Sequence, residues 1–344
     1  MFDDSKFVVF GCDGNHSLDL SIIKEVNGLA HKRLRFHHIN YGDYPDGEMD
    51  NQIPHHAEIE GKIAIVFQSA YKPDLKDEFL DICRLVHDQY NAKTVVAVLP
   101  FMCNRRQDHE DDLSEANRNE HFIIDMADRG VGHLILCDIH SNSVIKNAKK
   151  HGLQAYNVEP ARAYASQLRL LVELAKEDGR KFYIYALDEG SIPRAIALAK
   201  LLNVPIAVNL KNRKHDGTTE RVINTEIIKQ LSKQYGVELV EVNESLVGAS
   251  FCIREDELST GGSAQDAGLF LRNKIKAHEL FFCVTHSVCA PGWKRKLIYV
   301  NPFDNIFVGD TIPRGYRNST GGQMTSVSMA QGIAHQLIKV IRKL

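Results

Sequence analysis

The sequence of 344 residues has almost no net charge, with 42 lysines and arginines against 44 aspartates and glutamates. This balance provides no basic surface of the kind that binds DNA or RNA, so we expect no nucleic-acid partner. No stretch reaches the roughly 18 apolar residues that a membrane-spanning helix needs. The acidic start MFDDSK is unlike a signal peptide. We therefore expect a cytoplasmic protein that has no membrane partner.

Two common nucleotide-binding motifs are also missing. No GxxxxGK[ST] occurs, which excludes a P-loop kinase at the level of the motif, and no GxGxxG follows a predicted strand. The seven cysteines form no CxxC pair. Five of them lie in apolar runs, namely Cys12, Cys83, Cys137, Cys252 and Cys283. This placement predicts reduced thiols in a hydrophobic core rather than a disulfide framework.

The sequence does contain a regular alternation of short apolar runs and longer segments of helical character. The apolar runs predict strands at 6–11, 63–69, 94–101, 133–140, 181–188, 205–210, 250–256, 280–286 and 305–312. The segments between them predict helices at 17–31, 74–91, 114–130, 160–178, 191–203, 221–235, 263–277 and 322–342. Strands that are apolar on both faces and alternate with helices indicate an α/β fold with mainly parallel sheets flanked by helices.

The same pattern occurs twice along the chain. Two pairs of strands, each separated by a polar loop, match one another: 94–101 with 133–140, and 250–256 with 280–286. In each pair the second strand is predicted to end in a histidine, His140 or His286. We therefore predict two tandem domains, residues 1–155 and 156–321. The sequence leaves open which domain the C-terminal segment 322–344 packs on.

The residues after the predicted strands are unusually polar, and ligands of open parallel sheets bind beyond these strand ends. In REDELSTGGS (254–263), two adjacent carboxylates, Glu255 and Asp256, precede a loop with two glycines that opens a helix. Such a loop can direct backbone amides and the helix N-terminus at a phosphate. The carboxylates suit ribose hydroxyls, bound directly or through a divalent metal. A tight turn without a ligand is the alternative interpretation of the loop alone.

This combination resembles the PRPP-binding loop of type I phosphoribosyltransferases, where the acids hold the ribose hydroxyls and the loop holds the 5-phosphate. Further segments occur in the order found in the ribose-phosphate pyrophosphokinase (PRPP synthetase) family: YPDGE (44–48), NRRQDH (104–109), CDIH (137–140), LDEGSIPRAIALAKLLN (187–203), LKNRKH (210–215), THSVCAPG (285–292) and DTIP (310–313). The resemblance spans nearly the whole chain. It implies two tandem phosphoribosyltransferase-like domains and transfer of the diphosphoryl group of ATP to the 1-hydroxyl of ribose 5-phosphate, with Mg²⁺ as cofactor.

The resemblance also implies roles for individual residues. Those implied are His140 and Asp188 for the metal; Lys211 and Arg213 for catalysis; Tyr44, Asp46, Glu48, Arg106, Gln107, Asp108 and His109 for ATP; and Glu255, Asp256, Ser259, Thr260, Gly261, Gly262 and Ser263 for ribose 5-phosphate. Lys211 and Arg213, two apart in an extended segment, would neutralise charge on the transferred group. In the family the loop of Tyr44 reaches the ATP site of a neighbouring subunit, which implies a homo-oligomer, dimeric or hexameric.

Several departures from the family pattern leave other functions open. Ser259 stands where the family has a third loop carboxylate, and Glu255 stands in place of an aspartate. The segment HEDD (109–112) follows the RQD of the ATP motif, where the family usually has basic residues, and its acids would repel a triphosphate. The span from Lys211 to Glu255 is also longer than usual. One alternative is a non-catalytic relative that regulates an active synthetase. Another is a phosphoribosyltransferase that uses PRPP to make a nucleotide.

Overall fold

A computed structural model of the chain describes residues 2–46, 49–53, 58–105, 117–209, 211–213, 219–221 and 225–344. The chain divides into two compact units. The first comprises Met1–Val158, Thr311–Pro313 and Ser328–Leu344, and the second comprises Glu159–Asp310 and Arg314–Val327. The predicted domain boundary lies between residues 155 and 156, whereas the compact units divide between Val158 and Glu159.

The first unit is built on a six-stranded sheet. The strands of the unit, six of them in this sheet, are β1 (Phe7–Gly11), β2 (Phe36–His38), β3 (Asn40–Asp43), β4 (Met49–Gln52), β5 (Ile63–Phe67), β6 (Thr94–Leu99), β7 (Val131–Cys137) and β8 (Gln154–Val158). Its helices are α1 (His16–Ala30), α2 (Pro73–Arg84), α3 (Arg118–Ala127), α4 (Ser143–Lys150) and, from the end of the chain, α10 (Ala330–Ile341). The sheet order is β2-β1-β5-β6-β7-β8, all parallel, and β3 and β4 form a separate antiparallel hairpin.

Local sequence explains the boundaries of α1. The Asn15 side chain accepts a hydrogen bond from the amide of Leu18, which caps the first turn, and the helix ends where His31 adopts a left-handed conformation. Leu18, Ile22 and Val26 recur at helical spacing and are all buried. This apolar face fixes α1 on the core of the first unit, and α10 packs against the same helix.

The second unit is built on a seven-stranded sheet. The strands of the unit, seven of them in this sheet, are β9 (Phe182–Ala186), β10 (Ile206–Val208), β11 (Lys211–Arg213), β12 (Thr219–Arg221), β13 (Leu239–Glu241), β14 (Ser250–Leu258), β15 (Leu280–Ser287), β16 (Asn305–Gly309) and β17 (Met324–Val327). Its helices are α5 (Ala161–Glu177), α6 (Ile192–Leu202), α7 (Thr225–Tyr235), α8 (Gly262–Asn273) and α9 (Tyr316–Ser319). The sheet order is β13-β10-β9-β14-β15-β16-β17, all parallel, and β11 and β12 form a hairpin.

The two sheets repeat one strand order. Without β13, the second sheet reads β10-β9-β14-β15-β16-β17, which matches β2-β1-β5-β6-β7-β8 strand for strand. The predicted fold class, two α/β units with parallel sheets flanked by helices, is confirmed. The extra edge strand β13 and the helix α7 before it both lie in the long span between Lys211 and Glu255.

Three predicted elements differ from the structure. The C-terminal helix starts at Ala330 rather than at 322, because Gly321 and Gly322 have positive φ angles of 61° and 86° and the chain then forms β17. Strand β7 ends at Cys137, so His140 lies beyond the strand in an exposed turn. Strand β14 continues to Leu258, two residues beyond the predicted end at 256, so Glu255 and Asp256 lie within the strand rather than at its end.

Two further findings concern membranes and cysteines. Among the described residues, no helix is both long and apolar enough to cross a bilayer. The seven cysteines all lie in the described part of the chain, and none of them forms a disulfide. The Sγ atoms of Cys252 and Cys283, on neighbouring strands of the second sheet, lie 3.4 Å apart in the buried core.

Candidate active site

The candidate site lies where the strand order of the second sheet reverses. Strand β10 and β13 lie on one side of β9, and β14 to β17 lie on the other, so β9 and β14 flank the switch point. Tyr185 on β9 is in register with Ile253 on β14. Asp188 follows the end of β9, and Glu255 follows Ile253 on β14. Open parallel sheets bind their ligands in the crevice at this position.

The surroundings of Glu255 disfavour the charged form of its carboxyl group. Burial, followed by the nearby Asp256 and Asp188, raises the pKa of Glu255 to about 8 from 4.5, and Arg194 and Arg254 act in the opposite direction. The Oε1 atom of Glu255 is buried and has no hydrogen-bond partner. An unsatisfied carboxylate among other carboxylates is the arrangement expected where a cation or a hydroxyl-rich ligand completes the site.

Asp256 is held by an arginine of the neighbouring helix. Its Oδ2 atom lies 3.6 Å from Nη2 of Arg194 on α6, and both side chains are largely buried. Because consecutive side chains of a strand point to opposite faces, Glu255 and Asp256 leave β14 in different directions. The ion pair therefore fixes the orientation of Asp256, and Glu255 is left with an unsatisfied acceptor.

Arg254 is the largest fully buried side chain of the described residues and precedes the two acids on β14. Its guanidinium stacks over the ring of Tyr164 on α5 at 4.9 Å and donates to Oγ1 of Thr285 on β15 at 3.2 Å. It also donates to the backbone carbonyl of Glu255 and lies 3.7 Å from a carboxylate oxygen of Glu159. These contacts hold the end of β14 in place.

The loop after β14 has the geometry of an anion cradle. Gly261 is the N-cap of α8 and has a φ of 75°, a conformation that glycine adopts without strain. Thr260 and Ser263 are exposed, so their hydroxyls are accessible at the first turn of the helix. The amides of Cys289 and Ala290 donate to the carbonyls of Leu258 (2.9 Å) and Ser259 (3.2 Å), which hold the loop in place. The free amides at this helix start suit a phosphate.

The two residues predicted to bind the metal lie in different units. Asp188 is exposed, and its Oδ1 accepts a hydrogen bond from the amide of Ser191 at 2.9 Å. His140 belongs to the first unit, so its pairing with Asp188 stays a prediction. In the described residues, no group of three or more His, Cys, Asp or Glu side chains is arranged to hold a metal ion.

The remaining predicted residues are described only in part. The backbone of Lys211–Arg213 forms β11, with Lys211 in register with Arg221 of β12. Tyr44 and Asp46 are exposed in the turn between β3 and β4. The other predicted ATP residues lie outside the described residues: Glu48, Arg106, Gln107, Asp108 and His109. Their roles stay predictions.

The corresponding switch point of the first unit, between β1 and β5, is filled. The side chain of Gln68, fully buried, accepts from the amide of Gly14 at 2.8 Å and donates to the Leu75 carbonyl and to Glu78. A Cβ atom on Gly14 would lie 2.0 Å from Oε1 of Gln68, so the contact depends on glycine. Glu78 in turn accepts from the amide of Asp13 at 2.9 Å. Side chains of the unit itself occupy this position.

The chain is similar to known proteins over most of its length. Residues 7–122 match the model of the N-terminal domain of ribose phosphate pyrophosphokinase. A ribose-phosphate pyrophosphokinase of Ralstonia nicotianae is 24% identical over 97% of this chain and 95% of its own length. Over nearly its whole length the chain is thus similar to members of the ribose-phosphate pyrophosphokinase family. Family members from Pyrococcus furiosus and Sulfurisphaera tokodaii are 27% and 28% identical over 84% and 86% of this chain, covering 91% and 89% of their own lengths.

A solved structure of the family supports the fold. The phosphoribosylpyrophosphate synthetase of Mycobacterium smegmatis matches with a TM-score of 0.75, over 98% of this chain and all of its own chain. At 17% sequence identity, this similarity supports the two-unit architecture and not the details of the site.

Sequence reasoning missed the basic residues that surround the loop. Arg194 and Arg254 each contact an acid of β14 or its backbone, and Lys296 lies beside the loop itself. One signal was present, because an arginine inside the apolar strand SFCIRED is unusual unless a partner is buried with it. For Arg194 and Lys296 no local pattern exists, since their partners are distant in the sequence.

Proposed function

We propose that the protein is a ribose-phosphate diphosphokinase that transfers the diphosphoryl group of ATP to ribose 5-phosphate. In this reaction the 1-hydroxyl oxygen of the sugar bonds to the β-phosphorus of ATP and loses its proton. The bond between the α,β-bridging oxygen and the β-phosphorus breaks, which gives PRPP and AMP. The observation that carries the proposal is the pairing of Glu255 and Asp256 with an open phosphate cradle at the switch point of a family member.

Ribose 5-phosphate is the substrate that this half of the site fits. The carboxylates of Glu255 and Asp256 would accept hydrogen bonds from the ribose hydroxyls. The 5-phosphate would lie against the loop Ser259–Ser263, where the exposed hydroxyls of Thr260 and Ser263 and the amides of α8 can donate to it. Arg194 would keep Asp256 in the required orientation.

The second unit's carboxylates fit Mg²⁺, because oxygen ligands are those the ion prefers. Glu255 has a buried acceptor without a partner, and the carboxyl of Asp188 lies close enough to raise the pKa of Glu255. We assign the ion to His140 and Asp188, as the family resemblance implies. When bound, the ion would neutralise charge on the ATP phosphates.

Lys211 and Arg213 are the proposed catalytic residues. Diphosphoryl transfer requires mainly positioning and positive charge near the transferred group. Residues Tyr44, Asp46, Glu48, Arg106, Gln107, Asp108 and His109 are proposed to bind ATP. We further propose a cytoplasmic homo-oligomer, dimeric or hexameric, in which the loop of Tyr44 completes the ATP site of a neighbouring subunit.

The deciding assay supplies ATP, ribose 5-phosphate and Mg²⁺ and measures AMP and PRPP. We expect both products in equal amounts, and a loss of at least about 100-fold in kcat for Lys211→Ala, since one preorganised charge is commonly worth that much. If the parent forms no product above background and Lys211→Ala is no worse, the proposal is wrong.

Two observations favour a second candidate, a non-catalytic relative that regulates an active synthetase. Ser259 replaces a family carboxylate, and the acidic residues 110–112 follow the ATP motif. Turnover by the purified chain alone excludes this candidate. Consumption of PRPP with a nucleobase, without formation of PRPP from ATP, would instead indicate a phosphoribosyltransferase.

A further inference from the structure

A lysine from outside the loop lies at the mouth of the phosphate cradle. The Nζ atom of Lys296 lies 3.5 Å from the position that a Cβ atom on Gly262 would occupy. The hydroxyl oxygen of Thr260 lies 3.9 Å from the same position. Gly262 is the first residue of α8, so an ammonium and a hydroxyl flank one point at the start of this helix.

The fold holds Lys296 at this place through its neighbour in sequence. Leu297 is fully buried in the core of the second unit. Its Cγ atom lies 3.0 Å from where a Cβ of Gly261 would be, so the leucine packs directly on the glycine. Both residues belong to the π-helical turn Arg295–Tyr299. Since Leu297 anchors the turn on the loop, the backbone of Lys296 cannot move away independently.

The ammonium of Lys296 has no neutralising partner among the residues that the structure describes. Within the described part of the chain, the half-buried Lys296 makes no hydrogen bond and no ion pair. The strand leading into the loop carries three acidic residues in succession, Glu255, Asp256 and Glu257. A phosphate dianion in the cradle would be repelled by these acids, and the five loop residues 259–263 contain no basic side chain that offsets the repulsion.

We propose that Lys296 binds the 5-phosphate of the sugar and makes the site selective for phosphorylated pentose. The inference rests on the proposed function, because it places ribose 5-phosphate in this cradle. A charge-assisted hydrogen bond from an ammonium to a phosphate typically contributes enough for a 10-fold to 100-fold change in affinity. Lys296 thus adds to the loop a positive charge that the motif itself does not contain.

The test measures binding of ribose 5-phosphate and of ribose to the full-length protein by calorimetry, for the parent and three variants. Lys296→Met keeps the length of the side chain and removes the charge, and Lys296→Arg keeps the charge. Lys294→Met is the matched control, because Lys294 lies in the same segment but over the ring of Trp293 at 5.8 Å. The KM for each substrate is measured in parallel.

We expect Lys296→Met to weaken ribose 5-phosphate binding and to raise its KM at least about 10-fold, with affinity for ribose, KM for ATP and kcat little changed. Lys296→Arg should recover most of the loss, and Lys294→Met should behave as the parent. If the parent binds ribose 5-phosphate and Lys296→Met binds it equally well, the inference is wrong and the proposed function stands. If Lys296→Met weakens the binding of ribose as much as that of ribose 5-phosphate, Lys296 has a structural role and the inference is also wrong. If the parent binds no ribose 5-phosphate, the proposed function fails, and the inference fails with it.

Discussion

The buried carboxyl of Glu255 should make the second unit less stable as the pH rises, and replacing it with glutamine should remove this effect. The folded pKa is about 8 against an unfolded value of 4.5. Below pH 4.5 both states are protonated and Glu255 has no effect on stability. Between these two pKa values only the unfolded state is ionised, so the free energy of unfolding falls as the pH rises. Above pH 8 the destabilisation is complete.

The magnitude follows from the two pKa values. Each unit of difference corresponds to about 1.4 kcal/mol, so the full destabilisation is on the order of 5 kcal/mol, of which about 4 kcal/mol develops between pH 5 and 9. We therefore expect the stability of Glu255→Gln, relative to the parent, to increase by about 4 kcal/mol over this range. The same variant should bind ribose 5-phosphate less well, because an amide is a poorer acceptor for the hydroxyls than a carboxylate.

The assay is urea unfolding at pH 5, 7 and 9 without ligands, followed by the fluorescence of Trp293. This residue is the only tryptophan of the chain and packs against the core of the second unit, so the signal reports on the unit that contains Glu255. Glu244→Gln serves as the control, because Glu244 is exposed in the same unit. A stability difference between Glu255→Gln and the parent that stays constant from pH 5 to 9 would refute the reasoning.

Three further predictions test the surroundings of the site. Arg254→Met removes a positive charge that lowers the pKa of Glu255, so the pKa of Glu255 should rise in this variant. In a titration of affinity against pH, the pH at which ribose 5-phosphate binding is half-maximal should therefore move upward. Gly261→Ala should raise the KM for ribose 5-phosphate several-fold and destabilise the unit by more than the 1–2 kcal/mol typical of left-handed strain. Gly248→Ala is the control, because Gly248 has a φ of 79° and no atom lies within 4 Å of the new Cβ, so this variant should show the backbone strain alone. Equal destabilisation by the two variants would contradict the close packing of Leu297 on Gly261. Mixing inactive Glu48→Ala and Lys211→Ala subunits should restore part of the activity if ATP sites are shared, and no recovery after verified subunit exchange would count against sharing.

Much of the architecture was predictable because it depends on local patterns. The runs of apolar residues located the nine strands predicted from sequence, and the internal match between 94–140 and 250–286 predicted the repeat that the strand orders confirm. Short edge strands such as β13 and β17 escaped prediction, since three or four residues carry too little periodicity to be recognised. Because β17 is too short to be recognised, the helix predicted from residue 322 includes it, whereas the C-terminal helix begins at Ala330.

The site was predictable where it follows the chain and not where it depends on packing. The loop 254–263 carries its acids, glycines and hydroxyls in one continuous segment, so its chemistry could be recognised from the letters alone. Arg194 and Lys296 reach the same place from a helix before the strand and from a turn after the next strand. Only the fold brings these charges to the loop, and no spacing in the sequence encodes their distance from it.

The buried side chain of Gln68 at the switch point of the first unit shows that the strand order of a sheet and the side chains at its switch point can be considered separately. Both sheets have the same switch point in their strand order, yet the buried Gln68 occupies it in the first unit, whereas acids and hydroxyls lie beside it in the second. Under the proposed function, sugar-phosphate binding therefore depends on a few residues rather than on the architecture. In the first unit the same position instead serves cohesion, because the hydrogen bonds of Gln68 join the segment before α1 to α2.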